Sequence, residues 1–228
     1  MTQAGPGAEM PSANDASLQT WQASWQHAWS ALGASAPQPV LAELLQSYSE
    51  PQRHYHTLQH LGEAMGLLQP ALGLAAHPGE VALALWFHDA VYETQAKDNE
   101  ARSADWARQF LLSQGLPTTL AEAVHQHVMD TRHTPGPLTG DALWVVDIDL
   151  AILGQSDAVY REFERNVRRE YFFVRWPRYV AGRSAVLQGF LDRPHIYGTG
   201  YFAQRYEAQA RTNLQQALHA LGEGRLYP

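Results

Sequence analysis

The sequence of 228 residues contains no cysteine, so neither a disulfide nor a thiolate metal ligand is available to it. Any metal ion would have to be bound by His, Asp, Glu or water. No apolar run is long enough to span a bilayer, and the N-terminus lacks the basic-then-apolar pattern of a signal peptide. These absences predict a cytoplasmic protein with no membrane partner.

Basic residues are also scarce, because 16 Lys and Arg stand against 23 Asp and Glu, for a formal net charge of −7 at pH 7. A nucleic-acid polymer is bound by a basic face that neutralises its phosphates. The charge balance therefore argues against a nucleic-acid polymer as the main partner. A small anionic ligand is compatible with it, since one local cluster of arginines would suffice to bind such a ligand.

Hydrophobic residues make up 45% of the chain, including seven Trp, ten Tyr and seven Phe, which is enough for a sizeable core. Residues 1–16 differ from the rest because they are rich in Gly, Pro, Ala, Ser and Asn and contain few large apolar groups. We expect a disordered N-terminal tail over 1–16 and one domain over 17–228.

Apolar residues recur with helical spacing along this domain. Trp21, Trp25 and Trp29 are four residues apart and predict an aromatic stripe that faces the core. Further helices are predicted at about 39–48, 57–69, 79–92, 98–114, 117–131, 140–153, 156–175, 178–191 and 200–221. The alternation typical of strands is scarce, so the predicted fold class is all-α.

Two clusters of titratable residues lie in strongly apolar surroundings. His88 and Asp89 end the run LALWFHD. Burying such a pair costs several kcal/mol unless a partner such as a metal ion compensates for the lost hydration. His56 and His60 are four residues apart and would share one face of a helix. Taken alone, each pair has an ordinary explanation, either as partly buried surface histidines or as a helix-end Asp beside a core His.

A third cluster, Asp147 and Asp149, lies in the apolar segment WVVDIDLAILG. Residues two apart on a helix point to different faces, so at most one of the two would face the same ion as His88. The other would pair with an arginine or cap a helix. The three clusters together predict one convergent site.

Further motifs surround these clusters. The chain contains RHYH at 53–56, FHDAVY at 87–92, DNE at 98–100, SA at 103–104, DIDL at 147–150, LG at 153–154, EY at 170–171, GR at 182–183 and ARTNL at 210–214. Over about residues 45–215 the sequence resembles the HD superfamily of metal-dependent phosphohydrolases. The resemblance is closest to its subgroup of small bacterial predicted phosphohydrolases.

The resemblance implies a single-domain helical bundle in which His60, His88, Asp89 and one later Asp bind a metal ion. In the related cyclic-nucleotide phosphodiesterases, the last ligand precedes a Leu and a later Tyr-Arg pair. Asp149 has the same spacing to such a pair, so it is favoured over Asp147 as the last ligand.

Five more residues are candidates for catalysis or substrate binding. By similarity to the same enzymes, His56 would be the general acid that protonates the leaving oxygen. Glu100 would orient the attacking water or accept a proton, with a place in a capped first helical turn as an equal alternative. Arg53 and Arg183 are candidates for phosphate contacts, although helical arginines usually pair with carboxylates. His133 would be a second metal ligand, a phosphate contact or a helix C-terminal cap.

The leading prediction is a metal-dependent phosphohydrolase that cleaves a phosphoester of a small molecule or nucleotide with a metal-activated water. Its donor set suits Mn, Fe, Co, Ni or Zn, with Mg as a further candidate, and allows one or two ions. One alternative is an HD-type di-iron oxygenase, which would need two additional histidines between HD and the late Asp. Another is a non-catalytic metal- or ligand-binding HD domain. The sequence leaves the substrate and the oligomeric state open.

Overall fold

Ten α-helices and one short 3₁₀-helix form the part of the chain that the computed structural model describes, residues 13–134 and 136–227. Within these ranges there is no β-strand, and the predicted all-α class is confirmed. The helices are α1 (Ala13–Ser30), α2 (Gln38–Ser47), α3 (Leu58–Leu72), α4 (Pro78–Phe87), α5 (Asn99–Ser113), α6 (Thr118–Asp130), α7 (Ala142–Asp149), α8 (Asp157–Glu170), α9 (Trp176–Leu191) and α10 (Gly200–Gly222), with the 3₁₀-helix at Leu150–Gly154 directly after α7.

Most predicted boundaries agree with the structure to within a few residues. Helix α1 begins at Ala13, inside the predicted tail, and the rest of that tail, residues 1–12, lies outside the described ranges. Pro70, predicted to separate two helices, lies within α3. Helix α8 ends five residues earlier than predicted, at Glu170, and a turn joins it to α9.

Helix α4 is the centre of the core. Every residue from Val81 to Phe87 is fully buried, so this helix is apolar on all sides. Such a helix must be surrounded, and α4 contacts α1, α3, α5, α6 and α7. The core-facing stripe predicted for α1 is confirmed, because Trp25 is fully buried and packs edge-on against Trp86 with ring centroids 5.2 Å apart.

Helix α4 was predicted to continue to residue 92, yet it ends at Phe87. The backbone carbonyls of Asp89 and Ala90 accept hydrogen bonds from Arg53, and the N–H of Val91 donates to Ser103 Oγ. These side chains satisfy backbone groups that a longer helix would have paired internally. The chain therefore turns at the His-Asp pair.

This architecture brings three parts of the sequence to one place. Helices α3, α4 and α7 contact one another pairwise. His60 lies in the first turn of α3, His88 directly follows α4, and Asp149 is the last residue of α7. None of the described helices is both long enough and apolar enough to cross a membrane.

Candidate metal centre

His60, His88 and Asp149 form a compact group whose ligand atoms face one another. The two Nε2 atoms lie 3.0 Å apart, and Asp149 Oδ1 lies 3.3 Å from His60 Nε2 and 3.6 Å from His88 Nε2. Both imidazoles are buried, and the aspartate is largely so. Among the described residues, this is the one group of His, Asp and Glu whose donor atoms are close enough together to hold an ion.

Asp89 adds a second carboxylate to the group. Its Oδ2 lies 3.1 Å from His88 Nε2 and 3.6 Å from His60 Nε2. Two ligand atoms that are each about 2.0–2.1 Å from one ion stand about 3.0–3.4 Å apart at ordinary coordination angles. The observed separations, 3.0–3.6 Å, lie at or slightly above that spacing. Three of the four residues that the resemblance predicts as ligands, His60, His88 and Asp149, thus form a group that could hold an ion, and Asp89 lies next to it.

The tautomer of His88 also suits a metal ligand. Its Nδ1 lies 2.8 Å from the carbonyl oxygen of Leu85, an acceptor, so Nδ1 carries the proton and donates it. The Nε2 lone pair then points at His60 and the carboxylates. Metal-binding histidines typically donate their second ring N–H to such a partner.

The electrostatics of the cluster favour a positive charge at its centre. Burial disfavours charge on His88, but Asp89, Tyr48 and Asp149 together outweigh this effect and raise the pKa of the imidazole well above its ordinary value. Burial likewise opposes ionisation of Asp149, yet hydrogen bonds from His133, His60 and His88 hold its pKa well below the ordinary value. Either protons or a cation must therefore balance the two carboxylates.

Asp147 does not belong to this group. Its carboxylate is buried and accepts hydrogen bonds from the backbone N–H groups of Gly198 and Thr199, at 2.8 and 2.7 Å, and from Thr199 Oγ1 at 2.6 Å. Thr199 is in turn the N-cap of α10. Asp147 thus anchors the start of α10, and Asp149 alone of the pair faces the histidines.

His133 reaches the group from the other side. Its Nε2 lies 3.0 Å from Asp149 Oδ2, whereas Oδ1 of the same carboxylate faces His60 and His88. The residue has a φ of 52°, in the left-handed region that costs a non-glycine residue energy. Its backbone carbonyl accepts from Arg193 at 2.8 Å, a bond that helps to hold this conformation.

His56 lies beside the ligand group and is paired with a buried glutamate. Its Nδ1 is 2.8 Å from Glu170 Oε2, and its ring stacks on Tyr92 at 4.1 Å between centroids. Burial disfavours the charged imidazole, but the carboxylates of Asp89 and Glu170 outweigh it and raise the pKa of His56. The raised pKa favours the protonated form of this imidazole.

Glu170 is a functional candidate that sequence reasoning noted only as part of an EY motif. Its Oε1 accepts from the backbone N–H groups of residues 54, 55 and 56, and its Oε2 accepts from Tyr92 Oη at 2.8 Å as well as contacting His56. Burial opposes its charge, but these bonds lower its pKa to about 2. The only indication of this role in the sequence is that Glu170 lies on the helix face that also carries Tyr160, Phe163 and Val167.

The two arginines expected to contact phosphate are engaged elsewhere. The fully buried Arg53 donates to the carbonyls of His56, Asp89 and Ala90 and pairs with Glu50. It therefore ties the YH segment to the HD turn.

Arg183 pairs with Glu164 through two bonds, from Nη2 at 2.6 Å and from Nε at 3.1 Å. Glu100 lies in the first turn of α5 and is partly exposed. Within the described part of the chain, neither Arg183 nor Glu100 forms a hydrogen bond or ion pair with His60, His88, Asp89 or Asp149.

Comparisons with protein-family models, with curated proteins and with solved structures gave no match to this chain. The HD resemblance therefore stays a prediction that rests on the motifs, and the group His60, His88 and Asp149 is the structural observation that bears on function.

Proposed function

We propose that this protein is a metal-dependent phosphohydrolase of the HD type that cleaves a phosphoester of a small molecule or nucleotide in the cytoplasm. The observation that carries the proposal is the group His60, His88 and Asp149, the one such group among the described residues, with Asp89 and a glutamate-held histidine next to it. A divalent ion bound there would supply Lewis acidity and a water of lowered pKa.

In this proposal the imidazole of His56 donates a proton to the leaving oxygen. Glu170 accepts the Nδ1–H of His56, so Nε2 is the atom from which a proton is delivered. Tyr92 fixes the plane of the ring by stacking and donates its own hydroxyl to the same glutamate. The carboxylates around His56 raise its pKa and so favour the protonated form that a general acid requires.

The substrate proposed is small because the chain is acidic overall and offers no excess of basic residues to a polymer. Since the donors of Arg53 and most of those of Arg183 are occupied, His133 becomes the candidate for contact with phosphoryl oxygens. Its ring adjoins a cavity of about 880 Å³ that Arg132 and Arg193 also line. This cavity has room for the organic part of a substrate.

The proposal is tested by metal analysis of the purified protein together with a phosphate-release screen on nucleotides and sugar phosphates with Mn, Mg, Co or Ni. We expect about one ion per chain, and phosphate release that falls by about 10²–10⁴-fold in His56→Gln without loss of the ion. His54→Gln is the matched control, because the His54 side chain is exposed two residues away. No phosphate release from any substrate, with the ion bound, would contradict the proposal.

An HD-type di-iron oxygenase is the second candidate, because His133 contacts the second oxygen of Asp149 and could serve a second ion. Two other histidines of the same region lie elsewhere: His125 Nε2 is 3.4 Å from Asp105, and His127 Nδ1 is 3.9 Å from Asp130. The second ion would thus have few protein ligands. Two irons per chain without phosphate release would favour this candidate.

A further inference from the structure

A second cavity of about 340 Å³ lies between α8, the turn that follows it and α9, and none of its lining residues belongs to the metal-ligand group. This volume lies within the range of small-molecule sites, roughly 300–1,000 Å³. The apolar part of its wall consists of Val167, Val174 and Val186, with the ring of Tyr171 beside them. The cavity therefore suits a ligand with an apolar body.

One residue that lines the same cavity, Tyr179, has a buried hydroxyl without a hydrogen-bond partner among the described residues. Tyr179 as a whole is 5% exposed. The guanidinium of Arg168 covers its ring at 4.7 Å, and Trp176 stacks on it at 5.8 Å. Because the ring is held on these sides and a buried hydroxyl without a partner is costly, Tyr179 indicates an acceptor that comes from a ligand.

Two arginines line the cavity together with Tyr179. Arg183 uses Nε and Nη2 to bind Glu164, which leaves Nη1 outside the ion pair. The exposed side chain of Arg178 lines the cavity as well, and none of the described lining residues is acidic. Three donors, one phenolic and two guanidinium, are therefore available to an anionic group with no carboxylate on the wall to repel it.

We propose that this cavity binds a small organic anion, with its apolar body against the valines and Tyr171 and its charged group at Tyr179, Arg183 and Arg178. The proposal does not depend on the phosphohydrolase activity. It does have a structural relation to the first site, because Tyr171 follows Glu170, the residue that holds His56. An occupant would lie against the segment that positions this histidine.

The test uses two fluorescent probes with the same rings, 8-anilinonaphthalene-1-sulfonate and its uncharged parent N-phenyl-1-naphthylamine, titrated into the full-length protein. We expect one sulfonate to bind per chain, more tightly than the neutral probe. Tyr179→Phe removes only the hydroxyl and should weaken sulfonate binding roughly tenfold, while Arg178→Glu should weaken it roughly threefold. Neither change should weaken binding of the neutral probe.

Matched variants separate this cavity from other apolar surface. A side chain added at Gly182, which lines the cavity, would meet no atom within 4 Å of its Cβ, so Gly182→Leu should fill the space and abolish binding of both probes. Gly189→Leu is the control, because Gly189 is equally open on α9 but lines the cavity of about 880 Å³ instead, so this change should leave binding of both probes as in the wild type. Arg175→Glu is the charge control for Arg178→Glu.

The melting temperature of each variant shows whether it is folded. Tyr179→Phe should melt no lower than the wild type, because the hydroxyl makes no hydrogen bond to the described residues. Sulfonate binding that survives Gly182→Leu would overturn the proposal, since the probe would then bind elsewhere. Equal affinity of wild type and Tyr179→Phe for the sulfonate would overturn the assignment of the anionic group to this hydroxyl.

Discussion

Nδ1 of His56 lies 2.8 Å from Oε2 of Glu170, a residue 114 positions later in the chain and at the end of α8. The same glutamate accepts three consecutive backbone N–H groups of the segment that carries His56. One buried carboxylate thus fixes both the backbone and the ring of the proposed proton donor. Its removal should affect the titration of that histidine more than binding of the metal ion.

We predict that Glu170→Gln moves the alkaline limb of the phosphate-release rate to lower pH. In the wild type, the carboxylates of Asp89 and Glu170 raise the pKa of His56, so the protonated form persists above pH 6.5 and is lost as pH rises through the folded pKa. Without the Glu170 charge this loss occurs at lower pH. Activity at neutral pH should fall roughly tenfold with the metal content unchanged.

The control for this experiment is Glu162→Gln, an exposed carboxylate on the same helix that pairs with Arg165. This substitution should leave the pH profile of phosphate release unchanged. A Glu170→Gln enzyme with lower activity but an unshifted alkaline limb would mean that the glutamate only supports the fold.

Acid should destabilise the protein through the same residue. Because the pKa of Glu170 is about 2 in the folded state and about 4.5 unfolded, its ionisation stabilises the fold above pH 4.5, and this contribution is lost as pH falls towards 2. The difference corresponds to about 3 kcal/mol of unfolding free energy. Urea unfolding from pH 6 to pH 2.5 should show a steeper decline for the wild type than for Glu170→Gln. Parallel curves would contradict the prediction.

The two aspartates of α7 should have separable roles. Asp149→Asn should abolish metal retention, whereas Asp147→Asn should keep the ion and lower the unfolding free energy by about 2 kcal/mol, because it weakens the buried anchor at residues 198–199. Metal content by mass spectrometry and thermal unfolding, measured on both variants, check this. Loss of the ion in Asp147→Asn with retention in Asp149→Asn would reverse the assignment.

Arg53 should act as a structural residue, and lysine should not be able to replace it. A lysine at this position keeps the charge but provides a single ammonium in place of the guanidinium that bonds the carbonyls of His56, Asp89 and Ala90. We expect Arg53→Lys to lower the unfolding free energy by about 2–3 kcal/mol and to weaken metal retention at Asp89. Raised KM with unchanged stability would instead indicate contact with substrate.

The sequence predicted the helices well because apolar spacing and Pro or Gly joints are local signals. It also predicted that Asp147 and Asp149 would diverge, since the helical period alone separates their directions. The partner of His56 and the role of Arg53 depend on contacts between distant segments, which no local pattern reveals. The same contacts end α4 at Phe87, which is why the predicted helix was too long.

The divergence of Asp147 and Asp149 also bears on how this chain tolerates changes in length. A single residue inserted or deleted ahead of the pair in α7 would rotate both carboxylates by about 100° about the helix axis. One such event would both detach α10 from Asp147 and move Asp149 away from His60 and His88. A point substitution at either aspartate would disturb only one of these two contacts. We therefore expect natural variation in length within this domain to fall in the connecting loops rather than in these two helical turns.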